Sequence, residues 1–302
     1  MSSRAGEGVF RSGFVAVVGR PNVGKSSLIN ALVGRKVAIV SDKPQTTRLP
    51  VRGVLNGPDF QIVFTDTPGF HKPRTLLGER LNLVVGEAVG DVDEVLLVVD
   101  GAAGVGRGDA FVAHQQVARH RGAKVCAVNK IDLLRGHAEV PQLAAAAELA
   151  SFDHIVPVSA RTRRGLDELR TALVEGLPIG QPLYPMDQTT DQPLETRIAE
   201  IVREKALALA REELPHSIAV AVDEVERDEG TGLLRVSCHV FVERDSQKGI
   251  VIGKGGATLK EIGTRAREEL ETLLETRVFL ELRVKVLKEW QRDPKAMARL
   301  GL

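Results

Sequence analysis

An α/β fold with a mainly parallel sheet, followed by a smaller α+β domain, is the architecture this 302-residue sequence predicts. Three observations carry it. Apolar strand-like runs alternate with helical patterns from Phe14 to about Leu177, which argues for a parallel sheet wrapped by helices. A proline-dense stretch then breaks the periodicity. Beyond it the order becomes helix, two strands, two helices joined by a G-x-x-G turn, and a last strand.

The first strand is Phe14-Val15-Ala16-Val17-Val18, an apolar run that reads as buried. It feeds the loop Gly19, Arg20, Pro21, Asn22, Val23, Gly24, Lys25, Ser26, which fits the P-loop pattern G-x-x-x-x-G-K-[ST]. Ser27 and the apolar spacing after it predict a helix over 25–33. Backbone N–H groups at a helix N-terminus favour an anion, and the helix dipole adds to this. Lys25 can reach the β- and γ-phosphates, and the Ser26 hydroxyl can ligate Mg²⁺. The stretch predicts a nucleotide-phosphate site.

Strands are expected next at 51–55 and 60–65, the latter ending in Asp66-Thr67-Pro68-Gly69. An Asp after an apolar strand holds Mg²⁺ in P-loop enzymes, and the Gly69 N–H can sense a γ-phosphate. In the polar loop Val40–Arg48, Thr47 is the preferred switch threonine and Thr46 its rival. Pro50 lacks an N–H for a ladder and so belongs at a strand start or edge.

Further helices are expected near 76–89, 108–121, 140–150 and 165–176, with strands at 94–99, 124–128 and 154–158. The strand at 124–128 ends in Asn129-Lys130-Ile131-Asp132, an N-K-x-D signature. A carboxylate at Asp132 can accept both N1–H and the exocyclic amine of guanine, and adenine offers no donor at either place. A site built around such a pair rejects the analogue that lacks it. After the next strand, a backbone N–H at Ser159-Ala160 can meet guanine O6. The expected nucleotide is GTP or GDP.

Together, G-R-P-N-V-G-K-S-S-L-I-N, P-Q-T-T-R, D-T-P-G-F-H, N-K-I-D and S-A resemble the Era family of bacterial GTPases. The resemblance implies a Ras-like GTPase domain followed by a KH-type RNA-binding domain. It also implies a ligand, small-subunit ribosomal RNA at its 3′ end, a role in assembling the 30S subunit, and peripheral association with the inner membrane. Phe70 stands where Ras-like enzymes carry a water-positioning Gln. Asn22 matches an asparagine that coordinates an activating K⁺ in several relatives; a loop-shaping role for it is equally open. His71 reads as a loop histidine, and Gln142–Ala150 as a strong helix former.

The boundary falls in the linker 178–193, dividing a GTPase domain at 1–177 from an RNA-binding domain at 194–302. In the second domain a helix is expected over 195–213 and strands over 216–226 and 233–243, joined by an Asp228–Gly232 turn. The order around Ile252-Gly253-Lys254-Gly255-Gly256 is that of a type II KH domain. Its glycines let the backbone pass close to a sugar-phosphate chain, and Lys254 adds attraction. From Gln247 onward there are 12 Lys/Arg against 8 Asp/Glu, a modest basic surplus within a chain of net charge +1. Trp290 is open to two readings, a stacking indole or a cap on the core.

Cys126 and Cys238 match no metal spacing and read as buried thiols, which suits a reducing cytoplasm. No apolar run reaches the length of a membrane span, and Met1–Arg11 lacks the apolar segment of a signal peptide. The expected protein is a cytoplasmic, monomeric, Mg²⁺-dependent GTPase in which Lys25, Thr47 and Gly69 serve catalysis. Two alternatives remain: an RNA chaperone gated by GTP with incidental hydrolysis, and a GTPase of tRNA modification.

Overall fold

Strand β1 (Arg11–Val18) sits inside a sheet whose strand order is β2-β3-β1-β4-β5-β6. Its partners are β2 (Val51–Asn56), β3 (Phe60–Asp66), β4 (Glu94–Asp100), β5 (Ala123–Asn129) and β6 (His154–Pro157). Only the β2–β3 pair is antiparallel. The computed structural model describes residues 9–43, 46–70, 73, 75–136, 138–209 and 217–302. His71, Pro215 and the end of the expected 195–213 helix lie outside the described residues.

Burial explains why these runs form strands. All seven residues of β3 and of β4 are buried, as expected of strands covered on both faces. Side chains alternate between two cores along each strand. Val15, Val17, Leu96 and Val98 pack with Leu28 and Ile29 of α1 (Lys25–Val33) and with Leu169 and Leu173 of α5 (Leu166–Gly176). Ala16, Val18, Val95 and Leu97 pack on the other side with Val85 of α2 (Leu76–Gly90) and Val112 of α3 (Arg107–Val112). The remaining helix of this part is α4 (Glu139–Ala147). Pro50 is exposed and precedes edge strand β2, where its missing N–H breaks no ladder.

The helix expected at 108–121 departs from its pattern. After α3 the chain makes a π-helical turn at Ala113–Val117, with the Ala118 N–H bonded to the Ala113 carbonyl at 2.9 Å. The stretch 178–191 packs with the first unit. Gln61 Nε2 donates to the Tyr184 carbonyl at 2.8 Å, and Val54 N–H to the Thr189 carbonyl at 2.9 Å. Glu94, at the start of β4, is fully buried, and neither of its carboxylate oxygens has a hydrogen-bond partner among the described residues. Burial, with Asp153 and Asp93 nearby, pushes its pKa up to about 8.

Packing divides the chain into two units, one of residues 1–38, 47–74 and 78–191, the other of 39–46, 75–77 and 192–302. The second holds α6 (Leu194–Leu209), β7 (Ala219–Arg227), β8 (Leu234–Val242), α7 (Asp245–Ile252), α8 (Ala257–Leu274), β9 (Val278–Val286) and α9 (Pro294–Arg299). Strand order is β7-β8-β9, antiparallel then parallel. Ile198 and Val202 of α6 and Ile262, Ala266 and Leu270 of α8 cover Val236, Cys238 and Val240 of β8. Asp228 Oδ1 accepts the Gly230 and Thr231 N–H groups and closes the hairpin between β7 and β8. Trp290 is fully buried and its Nε1 donates to the Ser217 carbonyl at 2.9 Å, so the indole caps the core. Both cysteines are buried, which pushes each thiol up to about 12. Among the described residues, no helix is long and apolar enough to cross a membrane.

Candidate functional site

The C-terminal ends of β1, β3, β5 and β6 carry the motif residues, beside the point at β1 where the strand order reverses. Lys25 opens α1 and is 6% exposed. Its Nζ donates to the carbonyls of Gly19 at 3.2 Å and Arg20 at 3.1 Å. Burial lowers its pKa to about 8, with the charge of Asp66 opposing that shift. A buried ammonium resting on two neutral carbonyls is well suited to receive an anion.

Three oxygens converge beside it. Ser26 Oγ donates to Asp66 Oδ2 at 2.6 Å, Thr47 Oγ1 donates to the same oxygen at 3.2 Å, and the two hydroxyls lie 3.2 Å apart. Asp66 is fully buried and Thr47 is 8% exposed. Hard oxygen donors gathered beside a phosphate loop fit Mg²⁺. The rival Thr46 turns away, its hydroxyl donating to the Lys43 carbonyl at 2.6 Å.

The base end is braced by hydrogen bonds. Asn129 Nδ2 donates to the Val23 carbonyl at 2.9 Å, and its Oδ1 accepts the Ala160 N–H at 3.1 Å. One side chain therefore ties the phosphate loop to the segment after β6. The Ala160 N–H, expected at guanine O6, is directed into this brace. Ser159 Oγ donates to Asp132 Oδ1 at 2.7 Å and accepts the Thr162 N–H at 3.0 Å, which orients the carboxylate. Lys130 adopts a left-handed backbone, φ 64°, and its Nζ reaches the Asn22 carbonyl and Asp100 Oδ2, both at 2.6 Å. Asn22 is itself left-handed at φ 64° and shapes the loop.

Sequence reasoning missed several members. Asp100 holds Lys130, and Asp109, fully buried, accepts Arg20 Nε at 2.7 Å. Phe111 stacks on Phe70. Each pairing is long-range and leaves no local pattern. Within the second unit, Glu204 Oε1 accepts the Val40 N–H at 2.8 Å and Arg203 Nη2 donates to the Thr46 carbonyl. In sequence the loop Val40–Arg48 offers only Thr46 and Thr47 as a signal, and neither points to these contacts.

The second candidate region is the turn between α7 and α8. Gly253 has φ 73°, and a Cβ there would lie 2.2 Å from Thr258 Oγ1, so only glycine fits. Gly255 and Gly256 are also left-handed. Lys254 and Gly255 are exposed, Ile252, Gly253 and Gly256 half-buried. The backbone is thus presented at a helix junction with a cation beside it.

The 50S ribosome-binding GTPase family matches residues 14–130 and the KH domain family matches residues 213–291. GTPase Era of Mycolicibacterium smegmatis is 50% identical over 295 residues, covering 97% of this chain and 99% of its own. A variant of Aquifex aeolicus Era bound to GDP.AlF4- superposes with a TM-score of 0.93 at 39% identity, covering 97% of this chain and 99% of that one. An Era structure in complex with MgGDPNP and nucleotides 1506-1542 of 16S ribosomal RNA gives the same TM-score and coverage at 40% identity. With half its residues shared along nearly the whole length of both proteins, this chain belongs to the Era family of GTPases.

Proposed function

We propose that this GTPase binds the 3′-end region of 16S ribosomal RNA through its KH domain and acts in assembly of the small ribosomal subunit. The observation that carries the reading is the relative solved with both MgGDPNP and a 16S fragment, because its likeness spans both domains. The description of the family matching residues 14–130 speaks of the 50S subunit, but that match covers the GTPase domain alone.

In the proposed chemistry, water attacks the γ-phosphorus of GTP, its bond to the β–γ bridging oxygen breaks, and GDP and inorganic phosphate leave. Lys25 and the amides of the phosphate loop, Gly19 to Ser27, bind the phosphate oxygens and stabilise the developing charge. Ser26, Thr47 and Asp66 would hold Mg²⁺, which would supply charge neutralisation to the transferring phosphoryl group. The Gly69 N–H meets the γ-phosphate. Asp132, oriented by Ser159, accepts from guanine N1–H and the exocyclic amine, and Asn129 and Lys130 keep the phosphate loop and base pocket in register. Asn22 is the candidate ligand for a K⁺ that would stimulate turnover. RNA phosphates are met by the backbone of Gly253–Gly256 and by Lys254, with Ile252 at the edge of the base groove.

The test is binding of a 16S 3′-end oligonucleotide and of a large-subunit oligonucleotide of equal length, each titrated over a range of KCl. The account expects the 16S oligonucleotide to bind tighter, with affinity falling as salt rises. Equal affinity for the two would remove the assignment to the small subunit. A GTP-gated chaperone with incidental hydrolysis would instead show turnover indifferent to RNA.

A further inference from the structure

Among the described residues of the first unit, Phe111 is the one exposed phenylalanine ring. Phe111 of α3 is 42% exposed, and its ring stacks on Phe70 with centroids 5.5 Å apart and planes 21° from parallel. Phe70 is 8% exposed and follows Gly69 directly. The Gly69–Phe70 segment lies against the phosphate loop: the Phe70 N–H donates to the Gly19 carbonyl at 3.2 Å, and a Cβ on Gly69 would fall 2.7 Å from Pro21 Cα.

The first turn of α3 is anchored to that same loop by a different group. Asp109 accepts Arg20 Nε at 2.7 Å through one oxygen and the Gly106 N–H at 3.0 Å through the other. The helix is therefore a platform referenced to the phosphate loop, and Phe111 is its contact with the segment after Asp66. The π-helical turn that follows carries an extra residue, and such turns recur at functional sites. Val112, Ala113, Gln116 and Val117 are buried, while Phe111 is left facing Phe70.

We propose that Phe111 is a positioning residue for GTP hydrolysis, holding the Gly69 N–H at the γ-phosphate by stacking on Phe70. The inference rests on the reading of Gly69 given above. With Phe70 in place of a water-positioning Gln, the residue after Gly69 offers no polar side chain to an attacking water, so the set of the Gly69 backbone matters more. The stack fixes it from outside the motif.

In the full chain, Phe111→Ala is expected to lower kcat for GTP by about three- to tenfold, the range a stacked aromatic pair supports. KM for GTP and the affinity for a fluorescent GDP analogue stay within about twofold. Capture of that analogue by aluminium fluoride weakens in step with kcat. Phe111→Tyr, which keeps the ring, restores both. A merely structural role would move thermal stability and nucleotide affinity and spare the fluoride capture. Unchanged or faster kcat in Phe111→Ala overturns the proposal. Gly69→Ala is measured in parallel. Its Cβ must push the segment off Pro21, so full turnover there would refute the reading that the Gly69 backbone is set for hydrolysis, whereas its loss beside an intact Phe111→Ala would refute only the stack.

Discussion

The two ligand-facing regions of the molecule are built in opposite ways. Around Lys25 the chemistry is carried by side chains that are buried and mutually bonded: Lys25, Thr47, Asp66 and Asn129 are each at most 8% exposed. Around Lys254 it is carried by backbone, with three glycines at positive φ and an exposed lysine. Buried, preorganised dipoles act strongly because water does not screen them, so the first region suits catalysis. An exposed backbone turn suits a long polyanion whose phosphates arrive one after another. Substitutions should therefore have large, chemistry-specific effects in the first region and graded, salt-dependent effects in the second.

The sharpest way to break this contrast is Lys25→Ala. Losing a preorganised charge at the phosphates should cost about 10²–10³-fold in kcat/KM for GTP, measured by phosphate release. A loss under tenfold would mean that the pocket is not organised around this ammonium. Asp132→Asn comes next, because it replaces one of the two acceptors for guanine by a donor. Affinity for GTP should fall about 10–100-fold in a fluorescent-nucleotide titration while RNA binding is retained. If RNA affinity fell equally, the two regions would not be separable.

On the RNA side the expected effects are smaller. Gly253→Asp strains the turn and adds a negative charge, and should weaken the 16S oligonucleotide about tenfold or more, with GTP affinity unchanged. Lys254→Ala keeps the glycines, so it should cost only a few-fold and reduce the slope of log affinity against log salt by about one. An unchanged slope would remove Lys254 from the phosphate contacts.

Glu94→Gln touches neither ligand and should alter turnover least. It lies at the end of the sheet opposite the nucleotide residues, and neither of its carboxylate oxygens has a hydrogen-bond partner among the described residues. Its carboxyl is raised from the ordinary 4.5 to about 8, so the folded protein keeps a proton that the unfolded chain gives up. Stability from this group is present below about pH 4.5 and is lost as pH rises toward 8, at up to about 1.4 kcal/mol per unit. Thermal midpoints across this window should fall less steeply with pH in Glu94→Gln. A parallel fall in both proteins would show that Glu94 is ionised in the fold.

The same contrast governs what was legible in the sequence. Lys25, Ser26, Asp66 and Asp132 stand out in the sequence because strand-end side chains at fixed spacing leave a local pattern; in the structure Ser26 bonds Asp66 beside Lys25, and Asp132 bonds Ser159. What separates Thr47 from Thr46, the short distances from Thr47 to Ser26 and Asp66, is visible only in three dimensions. The KH order was legible only as a whole, since a glycine turn alone is common. Pairings such as Lys130 with Asp100 and Arg20 with Asp109 span 30 and 89 residues, and no local periodicity encodes them. The docking of residues 183–189 on Gln61 and Val54 was hidden by a composition that reads equally well as a linker. Glu94 was hidden for another reason: an acidic residue at a strand start ordinarily faces water.

The most direct test of the account is GTP turnover by the full chain with and without the 16S 3′-end oligonucleotide, run in KCl and in NaCl. The account predicts stimulation by this RNA that is lost in Gly253→Asp, with a further gain in KCl over NaCl if Asn22 ligates K⁺. Turnover that ignores the RNA at concentrations where it is bound, together with RNA affinity that ignores the bound nucleotide, would contradict a coupling of the two domains and leave two independent modules on one chain.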